Sequence, residues 1–591
     1  MKRIITALAL TAAMTVSAVE PSGTLPVMYV NTTDGVEITS KEDYVTGTYY
    51  VDPCGVEGVE AIGSVDAQLP LQIKGRGNYS WTGFDKKPYR LKLDSKTALL
   101  GMKKSKHFAL LAHADDAYGF MRNAVGFELS RMFGLAWTPA DEPVELVLNG
   151  DYKGLYFLTE HIRVDADRVN VTEQEDQATT DVDGGWLVEI DNYDTDPHVT
   201  VVEGLDGSYR DGNGNPYYIW FTYKSPEVLS SEQATFLQTE MQRINDLIYA
   251  EDKTDCRWAD YIDLTELAKY YLVQEIVDDF ESFHGSCYLY RDRGEGQKWK
   301  FGPVWDFGNA FTHSKSSFIA QDRVWHQVWI GEMCKFPEFM DVVKDEYQKF
   351  LDNDGLARIV AYVDELAAKI TAATLSDYER WPQYGTQYEV TKAGTVKQCL
   401  QRGVNWLNQQ WGITPAVDDI EVYFYDEAET PWDPVYAFTW DRGADNKTHL
   451  GDWPGSLMEA TDLTVEGHKV WTIKVTPEEP YSGDLGLIFS NGQSGVELGN
   501  QTEDLVYSPG GLYNRQGLSP KSFDGVVAVE ATAPMTIAVR NGALVIDAAA
   551  AAAVDVVRID GTITRLNVPA GTSSHNLPRG FYIVAGRKVV L

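Results

Sequence analysis

Cationic side chains, cysteines and long apolar runs are all scarce in this chain. Lys and Arg number 51 against 87 Asp and Glu, a formal net charge of −36. A surface this acidic repels phosphate backbones and anionic lipid, so nucleic acid is not an expected partner. The 591 residues hold five cysteines (Cys54, Cys256, Cys287, Cys334 and Cys399), far apart in sequence and without a CxxC pair. HExxH is absent as well, which weighs against zinc sites and dithiol redox chemistry. Most of the cysteines read as small buried apolar residues; a disulfide stays open in an oxidising compartment, with no pairing legible. Beyond the N-terminus no segment reaches the ~18 apolar residues of a membrane span, so no transmembrane segment is expected. GxxxxGK[ST] is missing too, and a Walker-type phosphate loop with it.

What is present is ordinary globular material, 44% hydrophobic and 12% aromatic, in a chain too long for one core. The opening "MKRIITALALTAAMTVSA" has a basic start, an apolar run and small residues before Val19. That is the pattern of a secretory signal over residues 1–18, and it predicts an extracytoplasmic protein: secreted, periplasmic or at the cell surface. Loss of Lys2 and Arg3 with it takes the charge from −36 to about −38. No Cys follows the cut, so a lipoprotein anchor is not expected.

Strands lead. "LPVMYV", "YVTGTYYV", "LPLQIKGRGN", "PYRLKLD" and "PVELVLNGDYKGLYFLTE" alternate or run apolar, and "NGDYKG" predicts a hairpin turn. In "YRLKLD" Leu91 and Leu93 share one face, Arg90 and Lys92 the other. One helix interrupts, roughly Ala117 to Phe133. From about Ser230 to Gly412 helical spacing dominates, in "SSEQATFLQTEMQRINDLIYAED", "DLTELAKYYLVQEIVDDF" and "CLQRGVNWLNQQW". A strand pair, "SCYLYRDRGEGQKWKFGPVWDF", lies between the last two. Strands, then helices with one sheet insertion, predict an α+β plan. Short aromatic strands follow Pro415, and the last ~60 residues read as all β. Ala548 to Ala553 favour helix by propensity, but the flanks "ALVID" and "VDVVRID" predict strands there.

"FGPVWDFGNAF" (Phe301–Phe311) contains Asp306-Phe307-Gly308, the tripeptide whose Asp holds phosphate-bridging magnesium in protein kinases. A tripeptide recurs by chance, so its surroundings decide. "IKGRGNYSW" with "KKPYRLKLD", "ALLAHADDAYGFMRNAVGFELSRMFGL", "VELVLNGDYKGLYFLTEHI", "GGWLVEIDNYD" and "GPVWDFGNAF" occur in that order. Together they resemble the family of spore coat protein H (CotH), an atypical kinase family. The resemblance implies a kinase-like domain over 19–414, with ATP as phosphoryl donor, magnesium as cofactor and a protein or surface-linked acceptor. It implies Asp306 as a metal ligand. The family's loop reads Asn-x-Asp, with an Asn five residues further on. Aligned on Tyr288 to Tyr290, those places hold Asp279, Glu281 and Ser286, and Gly308 stands where a second Asp is frequent. Glu281 thus takes the general-base position and Ser286 that of a metal ligand. A Glu carboxylate reaches one methylene further, and a displacement near 1 Å costs about 10²-fold. An active kinase and a non-catalytic, carbohydrate-binding scaffold both remain open.

Phosphoryl transfer needs cations and backbone donors around the phosphates. "KGRGN" sets two glycines beside Lys74 and Arg76, and within the resemblance Arg76 and Lys92 become phosphate-binding candidates. Glu160 is a candidate partner for Lys92, and Glu189 a candidate on the adenine side. Asp115, Asp116, Arg122 and Asn123 read better as braces for the helix that begins there. His284 reads as a structural or exposed loop residue.

"IEVYFYDEAETPWDPVYAFTWDRGADNKTHLGDWPGSLMEA" is rich in Tyr and Trp, whose rings stack on the apolar faces of sugars. With "WPG", "IFSNG" and "QTEDL" it resembles starch-binding modules of carbohydrate-binding family 26. That implies a β-sandwich over 415–525 binding α-glucan, with Tyr436, Trp440 and Trp453 as platforms; by its own chemistry Phe438 reads as core, and Trp440 fits core and platform equally. Residues 526–591 resemble small C-terminal β-domains of secreted proteins, some of which are sorting signals.

Overall fold

The computed structural model describes residues 19–591 except Asp115, 192–195, 313–314, 322–324, 385–391, 414–418, 443–445, 478–480, 482–484, 509, 520, 522–534, 541–542, 549–551, 559–562, 569–570, 576, 578–580, 585–586 and 591. The proposed signal segment therefore lies outside the described residues, as do Asn541-Gly542 and Asp560-Gly561, where the sequence predicts turns.

Seven strands form the first unit: β1 (Val27–Thr32), β2 (Val45–Asp52), β3 (Leu69–Gly75), β4 (Tyr89–Thr97), β5 (Ser105–Leu111), β6 (Asp141–Leu148) and β7 (Asp151–Glu160). Their order is β1-β2-β3-β4-β5-β7-β6, and parallel pairing of β6 with β1 closes the barrel. Alternation decides which face is inside. Leu71, Ile73, Leu91, Leu93, Phe108, Leu110, Tyr156 and Leu158 fill the barrel, which leaves Arg90 and Lys92 on its outer wall. The β6–β7 turn runs through Asn149 (φ 53°) and Gly150 (φ 76°), the left-handed pair a tight hairpin demands.

Helix α1 (Tyr79–Thr82) is a single turn, and α2 (Arg122–Phe133) begins five residues later than its apolar pattern predicts. Gly119 (φ 70°) and Phe120 (φ 67°) are left-handed, which no helix tolerates. Next come β8 (Trp186–Asp191), β9 (His198–Val202), β10 (Tyr218–Ser225), α3 (Ser231–Ile248) and α4 (Leu264–Val277). Ser230 and Gln233 close a capping box on α3. The chain continues through β11 (Cys287–Arg291), β12 (Lys300–Phe301), α5 (Ile330–Met333), α6 (Pro337–Asp352), α7 (Gly355–Arg380) and α8 (Ala393–Trp411). The strand pair expected among the helices is β11–β12, and it joins a five-stranded sheet in the order β12-β11-β8-β10-β9. Every residue of α4 from Tyr270 to Val277 is buried, as a helix apolar all round must be. It ends at Asp278 (φ 55°) and delivers the chain into the loop 279–286.

One buried ion pair ties barrel to helices. Lys86 Nζ lies 2.5 Å from Asp377 Oδ2 on α7, with both side chains almost fully buried. Lys86 also donates to Leu155 O at 2.7 Å, and Asp377 accepts from Leu155 N at 2.8 Å.

The aromatic segment forms β13 (Ile420–Tyr425), β14 (Tyr436–Asp441), β15 (Lys447–Thr448), β16 (Ser456–Leu457), β17 (Glu459–Val465), β18 (His468–Val475), β19 (Leu485–Ser490), β20 (Leu505–Val506), β21 (Gly511–Asn514) and β22 (Gly517–Leu518). Two sheets, β17-β18-β13-β21-β22 and β15-β14-β19-β20, share a core of Val422, Phe424, Ala437, Leu487, Phe489 and Trp471. Among the described residues of the C-terminal part every element is a strand, β23 (Met535–Arg540), β24 (Ala543–Ala548), β25 (Ala552–Arg558), β26 (Ile563–Val568), β27 (Gly571–His575), β28 (Phe581–Val584) and β29 (Arg587–Val590). Strands β24 and β25 reach into the alanine run from both sides, as its flanks predict. Cys256, Cys287 and Cys399 are buried, and all five cysteines are free thiols.

Candidate active site

The loop after α4 concentrates negative charge out of water. Asp279 is fully buried; its Oδ1 accepts Glu281 N at 3.2 Å, while Oδ2 is buried without a hydrogen-bond partner. Burial drives its carboxyl well above the usual range. Glu281, two residues on, is pushed up to about 7, first by burial and then by the charge of Asp306. Asn309 Nδ2 donates to Glu281 Oε2. Ser286 closes the loop in the left-handed region (φ 51°) just before β11.

Asp306 is exposed and left-handed (φ 59°). Its neighbours explain how it is held. The Phe307 ring is buried over Gly126 of α2, where a Cβ would lie 2.3 Å from it. Phe307 N donates to Asn123 Oδ1 at 2.9 Å. Arg122 Nη1 donates to Gly308 O, and Arg122 Nε pairs with Asp116 Oδ1 at 2.9 Å. Asp116 also accepts Tyr118 N at 2.8 Å and Arg122 N at 3.2 Å. Asp116, Arg122 and Asn123 therefore brace both the start of α2 and the Asp-Phe-Gly turn; Asp115 lies outside the described residues.

The outer wall of the barrel is cationic where β3 and β4 pair. Lys74 pairs with Arg90 and Gln72 with Lys92 across β3–β4, so Lys74, Arg90 and Lys92 project from one face. Tyr44 lies beneath, with Lys74 Nζ 5.0 Å and Lys92 Nζ 6.0 Å from its ring. Arg76, past the end of β3, stacks over Trp305 at 5.5 Å. Burial lowers its pKa, and the charges of Asp306, Tyr288 and Glu189 oppose that. Arg76 is thus a cation within reach of both the Trp-Asp turn and Glu189 of β8. There Glu189 is buried, 2.7 Å from Lys224 Nζ, and burial raises it to about 7.

The structure brings Arg76 within electrostatic reach of Glu189 and Asp306, and Asp306 within reach of Glu281. Glu160 is a correction. It pairs opposite Phe108, which pairs opposite Leu91, so its side chain shares the inner face of the barrel while Lys92 stands outside. Its partners are Ala140 N at 3.1 Å and Arg168 at 3.8 Å, not Lys92. Sequence reasoning misses Asn309, Lys224 and Asp191. Asn309 follows Asp306 by three residues, which is the one local signal available for any of them.

The aromatic strand resolves into a second candidate site. Ala437, Thr439 and Asp441 of β14 are buried, and Tyr436, Phe438 and Trp440 alternate outward. Phe438 is a correction, since it does not enter the core. Its ring stacks on Trp440 at 5.9 Å and meets Trp453 edge-on at 5.5 Å. Gly486 makes room, because a Cβ there would lie 2.2 Å from the Trp440 ring. Trp453 is 36% exposed, so the rings form one outward row.

Comparison with curated proteins gives no match. A family model described as CotH kinase protein matches residues 73–409, more than half of the chain. The matched stretch opens inside β3, just ahead of Arg76, spans the loop 279–286 and Asp306, and closes near the end of α8. The chain belongs to the CotH kinase family.

Proposed function

We propose that this chain is an extracytoplasmic phosphotransferase that moves the γ-phosphoryl group of ATP to a hydroxyl acceptor while its aromatic β-sandwich holds α-glucan. The observation that carries this is Arg76, which feels the charges of both Asp306 and Glu189, while Asp306 in turn bears on Glu281. Arg76, with Lys74, Arg90 and Lys92 behind it, would hold the phosphates as guanidinium and ammonium groups do in transfer sites. A divalent cation fits this donor set: Asp306 is exposed, Asp279 keeps an unpartnered buried oxygen, and Glu281 is crowded by like charge. Among the described residues no three His, Cys, Asp or Glu side chains form a complete ligand group. That is compatible with magnesium, which takes one or two carboxylates and completes its shell with phosphate oxygens and water. Magnesium there would neutralise charge on the phosphates. Asp306 would hold it, with the Ser286 hydroxyl as an auxiliary ligand.

Glu281 is the proton acceptor. A carboxyl raised to about 7 is matched to neutral operating pH, near which a general base works best. Asn309 fixes its orientation by donating to Oε2. The acceptor oxygen would attack phosphorus as its proton passes to Glu281, and ADP departs.

The second reading, a scaffold without turnover, rests on the departures from the family loop at Glu281 and Ser286. Calorimetry separates the two. Magnesium-dependent ATP binding that is lost in Arg76→Ala, followed by label transfer from γ-labelled ATP, supports the phosphotransferase. ATP binding without transfer to itself or to any acceptor supports the scaffold.

A further inference from the structure

The sheet face that carries Glu189 extends past the nucleotide side of the cleft. Asp191 follows two residues later on the same face of β8, Trp220 of β10 pairs opposite Asp191, and Tyr218 lies two residues beyond. Here a pocket of about 510 Å³ opens, lined by Asp191, Tyr217, Tyr218, Trp220, His284 and Trp325 among others. Tyr218 is 49% exposed and Trp325 is 41% exposed, so two large rings are presented to solvent. Trp325 lies over His284, with centroids 4.8 Å apart and planes at 30°. His284 belongs to the loop that bears Glu281, and the charge of Asp191 is felt at Glu281. The groove therefore borders the proposed base.

Its chemistry narrows the occupant. Among the described residues the lining holds no Lys or Arg, and Lys224, whose charge reaches Asp191, is already paired with Glu189, so an anionic acceptor would find no uncommitted counter-charge. The floor also offers no free backbone. Strand β10 is paired on both sides, with β8 and β9, so an extended peptide cannot add itself as a strand. What remains is flat aromatic surface with one carboxylate and one imidazole, the combination that takes up a sugar's apolar face and its hydroxyls.

We propose that this groove is the acceptor subsite, and that its occupant is a neutral glycan whose rings stack on Trp220 and Trp325 and whose hydroxyl reaches Glu281. The proposal rests on the phosphotransferase reading for the transfer step only. In that step the sugar oxygen forms a bond to the γ-phosphorus, the bond to the ADP oxygen breaks, and the hydroxyl proton moves to Glu281. A sugar phosphate ester and ADP result.

Two measurements test it in the full chain. The first needs no catalysis: the Trp453→Ala protein, with its outer aromatic row weakened, is titrated with maltohexaose, cellohexaose and laminarihexaose. At least one should bind, and adding Trp325→Ala or Trp220→Ala should weaken it about tenfold. Trp325 is exposed, so its removal should leave the melting temperature unchanged. Failure of all three sugars, or affinity indifferent to both substitutions, overturns the proposal. The second measurement offers γ-labelled ATP with magnesium and either the bound sugar or Ser/Thr peptides. Label in the sugar, with KM raised by Trp325→Ala, supports it; label in peptide alone, sensitive to the same substitution, replaces the glycan with a protein acceptor. Absence of ATP binding defeats the phosphotransferase reading, while the sugar titration still decides the groove.

Discussion

Replacing Glu281 with Gln should stabilise the folded protein at neutral and alkaline pH while slowing phosphoryl transfer about 10²–10⁴-fold. The Glu281 carboxyl moves from an ordinary 4.5 to about 7, through burial first and the charge of Asp306 second. Between these values the folded state binds more protons than the unfolded chain, so stability falls as pH rises through that window. A tenfold change in proton affinity corresponds to about 1.4 kcal/mol, so ionised Glu281 costs the fold on the order of 3 kcal/mol above pH 7. Its partial exposure and the charge-assisted bond from Asn309, weakened in the amide, reduce the expected gain to about 1–3 kcal/mol. The assay is urea denaturation of wild type and Glu281→Gln at pH 4, 6 and 8, read on the transition that includes α4. The two proteins should agree at pH 4 and diverge progressively to pH 8, with the Gln form the more stable. A difference independent of pH, or a Gln form less stable at pH 8, would refute the argument that Glu281 is held in a strained, charge-crowded site.

Three further outcomes are expected. Asp306→Ala should abolish the magnesium dependence of ATP affinity and, by removing a neighbouring charge, lower the pH at which Glu281 titrates; the first is read by calorimetry and the second as an acid shift of the pH range over which the denaturation midpoint falls. Lys86→Met leaves Asp377 buried and unpaired and should cost about 3–5 kcal/mol, whereas adding Asp377→Leu should recover most of it, as denaturant midpoints will show. Trp453→Ala should weaken the protein's retardation by amylose in an affinity gel several-fold, since a stacked ring contributes on the order of 1 kcal/mol. Its melting temperature should not change, and migration in cellulose derivatives should be the same with and without the substitution.

Local pattern carries the fold as far as local forces decide it. The alternation in "YRLKLD" places Leu91 and Leu93 inside and Arg90 and Lys92 outside, because a buried face is specified every second residue. The Asn149-Gly150 turn is legible because only a few residue types accept its backbone. Closure of the barrel by β1 and β6 is not, since strands more than a hundred residues apart carry no mutual signal. The start of α2 reads too early because apolar periodicity continues through Gly119 and Phe120, where the backbone is left-handed. Phe438 reads as core on hydrophobicity alone, although its alternation with Ala437 and Thr439 puts it outside. Glu160 fails for a related reason, because which face of a β-strand a carboxylate takes depends on its partner's register. In the cleft, Asp306, Glu281 and Arg76 are reachable through motif order. Asn309, Lys224 and Asp191 are not, because their roles exist only once β8, β10 and the loop 279–286 are brought together.

The central claim is transfer of phosphate at the Arg76–Asp306–Glu281 cleft, and single-turnover transfer from γ-labelled ATP tests it most directly. Wild type with magnesium should pass label to itself or to an acceptor, with a rate that rises with pH through about 7, the value to which Glu281 is raised. Chelation and Asp306→Ala should each abolish transfer, and Glu281→Gln should reduce it about 10²–10⁴-fold while ATP still binds. Label transfer that persists unchanged in both variants, or nucleotide binding indifferent to magnesium in the intact protein, would contradict the account.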